Sequence, residues 1–434
     1  MRGSGGRVLR LVLAGVAAIL AAPAVAGGEA AFAPVACPAS VAAFADCHVA
    51  QDGNGAWLLA VVPHDWNRRL VVHAHGGPRL GQPQAGDPAE DLDRFAAMVH
   101  AGYAWIGTTY RRGGYGVRMA AEDADNSRQA FWARWGRPQR TFLHGQSWGG
   151  NVAAKVAELH ALDSEGRPNY DAILTTNGVL FGGTRAYGYR ADLRAVYQYY
   201  CGNHPAPGEP RYPVWQGLPA DAQMERDELR RRVDACTGLG SAPEARTPGQ
   251  AARLHDILAV TGLDESQLFS NLSWATFLFQ DLVQHRLDGR NPFDNAHTVY
   301  RGSRDDEALN AGVERFAADP DALARLAYDA DLSGLIVVPM LTVHALHDPV
   351  VSFDAMAAYA ATVQAAGRGH LLAQAAVDEH DHSRPGRATY LGALGALEAW
   401  LDTGARPQVA TMQQYCLADG YDASQCRFVV PREP

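Results

Sequence analysis

Residues 145–149 read Gly-Gln-Ser-Trp-Gly, the pattern G-x-S-x-G, with a short strand-like run before it (141–144) and a helical stretch after it (151–162). In that setting Ser147 is a candidate nucleophile for acyl transfer. The physics accounts for the glycines: strand and helix approach closely around a strained turn, so the flanking positions must be small. The hydroxyl then sits at the amino end of a helix, where the dipole favours developing negative charge. A Gly-rich turn without chemistry is the alternative reading of the same residues.

A serine nucleophile needs partners, and three other segments offer them. Acyl transfer requires N–H donors for the tetrahedral oxyanion, each worth roughly 10²–10³ in rate. The Trp148 N–H is one candidate, and the His75-Gly76-Gly77 turn supplies the other, with Gly77 as the expected donor. Pro78 has no N–H to give. Asp348 follows a late strand and can hold an imidazole in one tautomer. In 377–383, Val-Asp-Glu-His-Asp-His-Ser, two histidines compete as the base. His382 is preferred because it is nearer the closing helix, and His380 is the alternative. The order Ser, Asp, His along the chain fits this chemistry. The i, i+2 pairs His73/His75 and His380/His382 also allow a metal reading, but neither has a third ligand at a diagnostic spacing. With 16 histidines such pairs arise by chance, and neither a metal nor an organic cofactor is expected.

Around these segments strands and helices alternate. Residues 57–62, 70–74, 103–110, 141–144, 172–176, 335–344 and 370–377 read as strands, and 89–101, 120–135, 151–162, 353–366 and 389–401 as helices. Such alternation with short links implies an α/β fold whose mostly parallel sheet is covered by helices on both faces. The rhythm stops near residue 183 and resumes near 335. The predicted organisation is a core in two parts, 27–184 and 335–404, interrupted by a mainly helical cap insertion, 185–334, and followed by a disulfide-bearing tail, 405–434. Within the insertion, 222–235 and 250–261 read as helices.

The chain has 434 residues, 47% hydrophobic and 20% charged, a globular composition with room for a large core. Lys+Arg is 38 against 47 Asp+Glu, so a basic nucleic-acid footprint is absent. Lys155 is the single lysine, which we read as codon usage. Arg2, Arg7 and Arg10, an apolar run over 11–22 and Ala24-Val25-Ala26 have the form of a signal peptide spanning 1–26. Its removal would move the net charge from −9 to −12. The expected product is an exported protein, periplasmic or secreted, without an integral membrane segment. Its six cysteines then favour disulfides. Of the fifteen possible pairings, neighbour pairing (Cys37-Cys47, Cys201-Cys236, Cys416-Cys426) is preferred, because each pair flanks a turn-rich stretch.

Trp66-Asn67, His75-Gly76-Gly77, Gly145-Gln146-Ser147-Trp148-Gly149-Gly150, His347-Asp348-Pro349-Val350-Val351 and the late histidine together resemble the exported bacterial α/β-hydrolases of the serine esterase/peptidase superfamily. The likeness covers roughly 57–173 and 335–404. It implies the α/β-hydrolase fold and hydrolysis of esters, less often amides, through an acyl-enzyme without a cofactor. In such relatives the last loop reads Val-Asp-x-x-Gly-His-Cys; here His382 aligns with the catalytic histidine, Asp381 with the Gly and Ser383 with the Cys. A narrower likeness is to prolyl-iminopeptidase-like hydrolases, although Arg79 stands where their His-Gly-Gly-Pro-Gly motif has its last glycine. The expected substrate is a small-molecule ester, with a short peptide or amide as the alternative; a non-catalytic binding protein of this fold is the reading from a different class. Tyr110, Trp148, Phe181, Trp274, Phe277 and Phe279 are candidates for an acyl pocket. Arg111 and Arg112 could meet a substrate carboxylate or solvent. An aminopeptidase would need acids such as Glu225, Asp227 and Glu228 to hold an ammonium group.

Overall fold

The computed structural model describes residues 30–430, so the expected signal segment 1–26 lies outside the described residues. The strands are β1 (Ala33–Val35), β2 (Ala45–Gln51), β3 (Trp57–Pro63), β4 (Arg69–Ala74), β5 (Ala104–Thr108), β6 (Arg140–Gln146), β7 (Ala172–Thr176), β8 (Met340–Ala345), β9 (Leu372–Val377) and β10 (Phe428–Val429). They form one sheet in the order β1-β2-β3-β5-β4-β6-β7-β8-β9-β10. Pairing is parallel from β5 through β4, β6, β7 and β8 to β9, and antiparallel at both ends. Crossover helices between successive strands and the β5-β4-β6 reversal give the α/β-hydrolase arrangement.

The pleat sorts the core into two layers. Leu70, Val72 and Ala74 point to the face covered by α2 (Val117–Trp135), α3 (Trp148–Leu159) and the later α10 (Asp354–Ala365). Val71, Phe142, Leu174 and Leu341 point to the opposite face, under α1 (Asp87–His100), α11 (Arg387–Thr403) and α12 (Val409–Ala418). Strands buried on both faces explain the near-continuous apolar runs read from the sequence.

The chain between β7 and β8 is helical: α4 (Gly183–Cys201), α5 (Arg226–Thr237), α6 (Pro248–Thr261), α7 (Glu265–Ser273), α8 (Asp306–Gly312) and α9 (Pro320–Ala330), with π-helical turns at Trp274–Leu278 and Asp281–Arg286. α6 starts where a Thr247/Gln250 capping box satisfies its first N–H groups and Pro248 presets the first turn. The two ends of the insertion meet at Asp331, whose carboxylate accepts from the Thr184 N–H (2.7 Å) and hydroxyl (2.7 Å). Lys155 has a structural place here beyond codon usage. Its buried ammonium donates to the Asp331 carbonyl (2.5 Å) and Glu158 (3.1 Å), while Glu158 accepts from the Ser333 and Gly334 N–H groups.

The structure differs from the sequence reading at the margins. β1 and β2 lie in the first part of the core where no strand was read, β10 and α12 lie in the segment read as a tail, and β8 begins at 340 rather than 335. β10 pairs with β9, so part of the 405–434 segment belongs to the sheet. The structure contains the disulfides Cys37–Cys47, Cys201–Cys236 and Cys416–Cys426. No described helix is long and apolar enough to cross a membrane.

Candidate active site

Ser147 is the hinge between β6 and α3, with φ 57° and ψ −125°. A non-glycine residue there stores roughly 1–3 kcal/mol of backbone strain. Hydrogen bonds hold the turn: the Ser147 N–H donates to the Thr176 carbonyl (3.0 Å), and the Ser147 carbonyl accepts from Gly150 (2.8 Å) and Val179 (2.9 Å). The flanking glycines are sterically required. A Cβ on Gly149 would stand 2.1 Å from the Ala74 oxygen, and one on Gly145 would stand 2.2 Å from the Gly149 oxygen.

Against this turn lie the two late loops. His382, between β9 and α11, places Nε2 2.7 Å from Ser147 Oγ. Its Nδ1 lies 2.7 and 2.9 Å from the carboxylate oxygens of Asp348, in the loop after β8. Asp348 is buried, and its Oδ1 also accepts from the Val350 (2.7 Å) and Val351 (3.0 Å) N–H groups. These donors fix its orientation toward the imidazole. The neutral ring with its proton on Nδ1 then leaves Nε2 free to accept from the serine hydroxyl. Such a chain can withdraw the hydroxyl proton during attack.

Several residues that sequence reasoning did not single out hold this chain in place. The Gln146 amide donates to the His382 carbonyl (2.9 Å), as does the Asn177 amide (2.8 Å), which also reaches the Asp381 carbonyl (3.1 Å). Asn177 Oδ1 accepts from the Ala345 N–H (2.7 Å), so one side chain ties β7, β8 and the histidine loop together. Glu379 closes the base of that loop by accepting from Gly386 N–H and the Thr389 hydroxyl. Asp381 accepts from the Ser383 and Arg384 N–H groups, a local turn that a glycine there could not make. From the cap, Gln267 donates to the Asp348 carbonyl (2.9 Å) and Ser270 to the Pro349 carbonyl (3.1 Å). Asn177, with its left-handed φ of 48°, offered the only signal among these, an Asn-Gly pair at a strand exit.

The His75-Gly76-Gly77 turn packs on the nucleophile turn. A Cβ on Gly76 would lie 3.1 Å from Ser147 Cβ, and Gly77 has φ 68° with open space where its Cβ would be. The Trp148 N–H is the first of α3 and has no intrahelical acceptor. His75 itself is buried, stacks on Tyr110 at 4.1 Å, and titrates near pH 3 because burial and then Arg79 oppose its charge. Arg79 is committed to Asp91 at 2.8 Å.

The remaining candidates separate. His380 is exposed and stacks on His347 at 4.4 Å rather than facing Ser147. His73 faces His144, with Nδ1 atoms 3.1 Å apart, so neither i, i+2 pair converges on one point. Tyr110, Trp148 and Tyr115 pack together beside the nucleophile; Tyr115 also lines a cavity of about 760 Å³ with Arg112. Phe181 packs on Tyr189 and Trp274 on Tyr187, while Phe279 is sealed in the cap core against Phe293. Phe277 is half-buried against the same core. Arg111 is tied to Asp123 and Glu122. Of the acids suggested for an ammonium, Glu228 is paired with Arg231 and Arg232, and Glu225 and Asp227 are exposed.

No protein-family model matches the chain, and no curated protein matches it significantly. Solved structures similar to it include feruloyl esterase B from Aspergillus oryzae, at TM-score 0.47 and 13% identity over 88% of each chain. Candida antarctica lipase A is similar at TM-score 0.45 and 11% identity, over 87% of this chain and 82% of that one. A rice cell wall degrading esterase from Xanthomonas oryzae is similar at TM-score 0.42 and 14% identity, over 82% and 92%.

Proposed function

We propose that this chain is an exported serine hydrolase that cleaves carboxylic esters through an acyl-enzyme. The observation that carries the reading is the Ser147 Oγ to His382 Nε2 hydrogen bond of 2.7 Å, continued from Nδ1 to the buried Asp348. As Ser147 attacks the ester carbonyl, His382 takes its proton and the Asp348 carboxylate stabilises the imidazolium. The N–H groups of Gly77 and Trp148 receive the oxyanion. The imidazolium then protonates the leaving alcohol, the tetrahedral intermediate collapses to the acyl-serine, and His382 deprotonates the water that releases the acid.

The insertion favours the ester reading over the peptide reading. The acids that could have gathered round a substrate ammonium are exposed or already paired with arginines. Export is supported by the three disulfides, which persist in oxidising compartments.

The test uses purified mature protein. It should hydrolyse short-chain p-nitrophenyl esters and react with a fluorophosphonate, and Ser147→Ala should abolish both. Labelling that survives in Ser147→Ala would assign the nucleophile elsewhere. Aminoacyl amides run beside the esters test the choice of bond; faster amide cleavage would overturn it.

A further inference from the structure

We propose that His347, Asp378 and His380 form a surface site for a divalent transition-metal ion, of the class of Zn²⁺, which clamps together the loops that carry Asp348 and His382. One donor atom from each residue lies within 4.8 Å of the other two. His347 Nε2 stands 3.6 Å from Asp378 Oδ1, and the two imidazole rings stack nearly parallel, 4.4 Å apart with 12° between their planes. All three side chains are exposed, so an ion reaches them without any opening of the cap.

The donor set selects the ion. Two imidazoles and one carboxylate suit Zn²⁺, Ni²⁺ or Cu²⁺, whereas Ca²⁺ and Mg²⁺ require mainly oxygen ligands. Three protein ligands leave at least one position for water, which is compatible with an exposed site. Nitrogen and oxygen donors bind zinc at about 2.0–2.2 Å. The three groups must therefore draw together, and one imidazole must turn out of the stack, because each ring nitrogen binds in the plane of its own ring and the two planes are nearly parallel.

That contraction acts on defined backbone. His347 immediately precedes Asp348, and His380 lies two residues before His382. The loops are already joined by main-chain bonds from Leu346 N–H to the Val377 carbonyl (2.9 Å) and from His347 N–H to the Glu379 carbonyl (3.3 Å). An ion held across them adds a third tie between the segments that present the acid and the imidazole. Because it binds the folded arrangement, it stabilises the fold by mass action. The site does not face Ser147 and takes no part in the acyl transfer proposed above.

Titration of tag-free mature protein with Zn²⁺ in competition with a chromophoric chelator tests the site without requiring turnover. One ion should bind per chain, Cu²⁺ should bind more tightly, and Mg²⁺ should not compete. His347→Ala and His380→Ala should each weaken zinc binding at least tenfold and remove the zinc-dependent rise in Tm. His347→Gln serves as a second, milder variant. Equal zinc affinity in the wild type and in the His347→Ala/His380→Ala double variant would overturn the site. Hydrogen exchange at residues 346–350 and 377–382 should slow when zinc is added; unchanged exchange there would overturn the clamp.

Discussion

The Asn177 side-chain amide donates a 2.8 Å hydrogen bond to the main-chain carbonyl of His382, while its Oδ1 accepts from the Ala345 N–H. One residue at the end of β7 therefore fixes both the loop that carries the imidazole and the strand that leads to the acid. With Gln146, which reaches the same carbonyl, it fixes where the ring stands without touching the ring's nitrogens.

Asn177→Ala removes these bonds and leaves the buried Ala345 N–H without a partner, at a cost of about 1–3 kcal/mol. Its effect on catalysis comes through ring placement. kcat for p-nitrophenyl butyrate should fall about tenfold or more, since small misplacement is costly, with KM changed less. A loss confined to Tm, with kcat intact, would reduce Asn177 to a purely structural role.

Asp348→Asn keeps the shape of the acid but cannot enforce the Nδ1–H tautomer, and a loss in kcat of about 10⁴ is expected. His382→Ala should cost at least as much. His380→Ala leaves the hydrogen-bonded chain whole and should cost far less. Parallel kinetics of the three variants checks the assignment, and a larger loss from His380→Ala would reverse the choice of base.

Gly149→Ala places a methyl 2.1 Å from the Ala74 carbonyl oxygen. Backbone on both sides must move, so a destabilisation of roughly 1–3 kcal/mol or more is expected. Urea unfolding should register it, and fluorophosphonate labelling should fall with it because the same turn holds Ser147.

The buried histidines should draw stability down as the solution is acidified from about pH 6.5. Burial holds His75 and His144 at about 3 and His73 well below its usual value, so all three stay neutral in the fold while the unfolded chain takes up protons below pH 6.5. Each such group costs about 1.4 kcal/mol per pH unit across that window. Asp91 acts in the opposite sense. Burial outweighs its two arginine partners and raises it to about 6, so it gives up stability as pH rises from 3.8 to 6. Burial also lowers His204 and His344 and raises Asp123, Asp171, Asp192, Glu314 and Asp329, so these three imidazoles set one contribution to the pH dependence rather than its net sign. His144→Gln should reduce the difference in urea-unfolding free energy between pH 4.5 and 6.5; an unchanged difference would exclude this source.

The reach of sequence reasoning follows the range of the interactions involved. The nucleophile turn was legible because its constraints act within five residues: a small residue on each side of Ser147, a strand before and a helix after. The sheet was legible for a similar reason, since strands buried on both faces must be continuously apolar. β1, β2 and β10 were not, because β1 and β10 are edge strands of three and two residues and β2, beside β1, mixes buried with exposed positions. Gln146, Asn177 and Gln267 act through amides aimed at carbonyls on other segments, and apart from the Asn177-Gly178 pair nothing in their neighbourhoods marks that role.

By itself, the sequence specified a strained serine turn, a doubly covered sheet and a set of chemically competent side chains. Only the tertiary structure decided which of them meet. His380 and His382 differ by two places in one loop, yet anchoring of that loop by Asn177 and Gln146 sends one ring to Ser147 and leaves the other beside His347. Local rules fix φ, ψ and burial, whereas the direction of a loop side chain depends on hydrogen bonds to residues more than two hundred positions away.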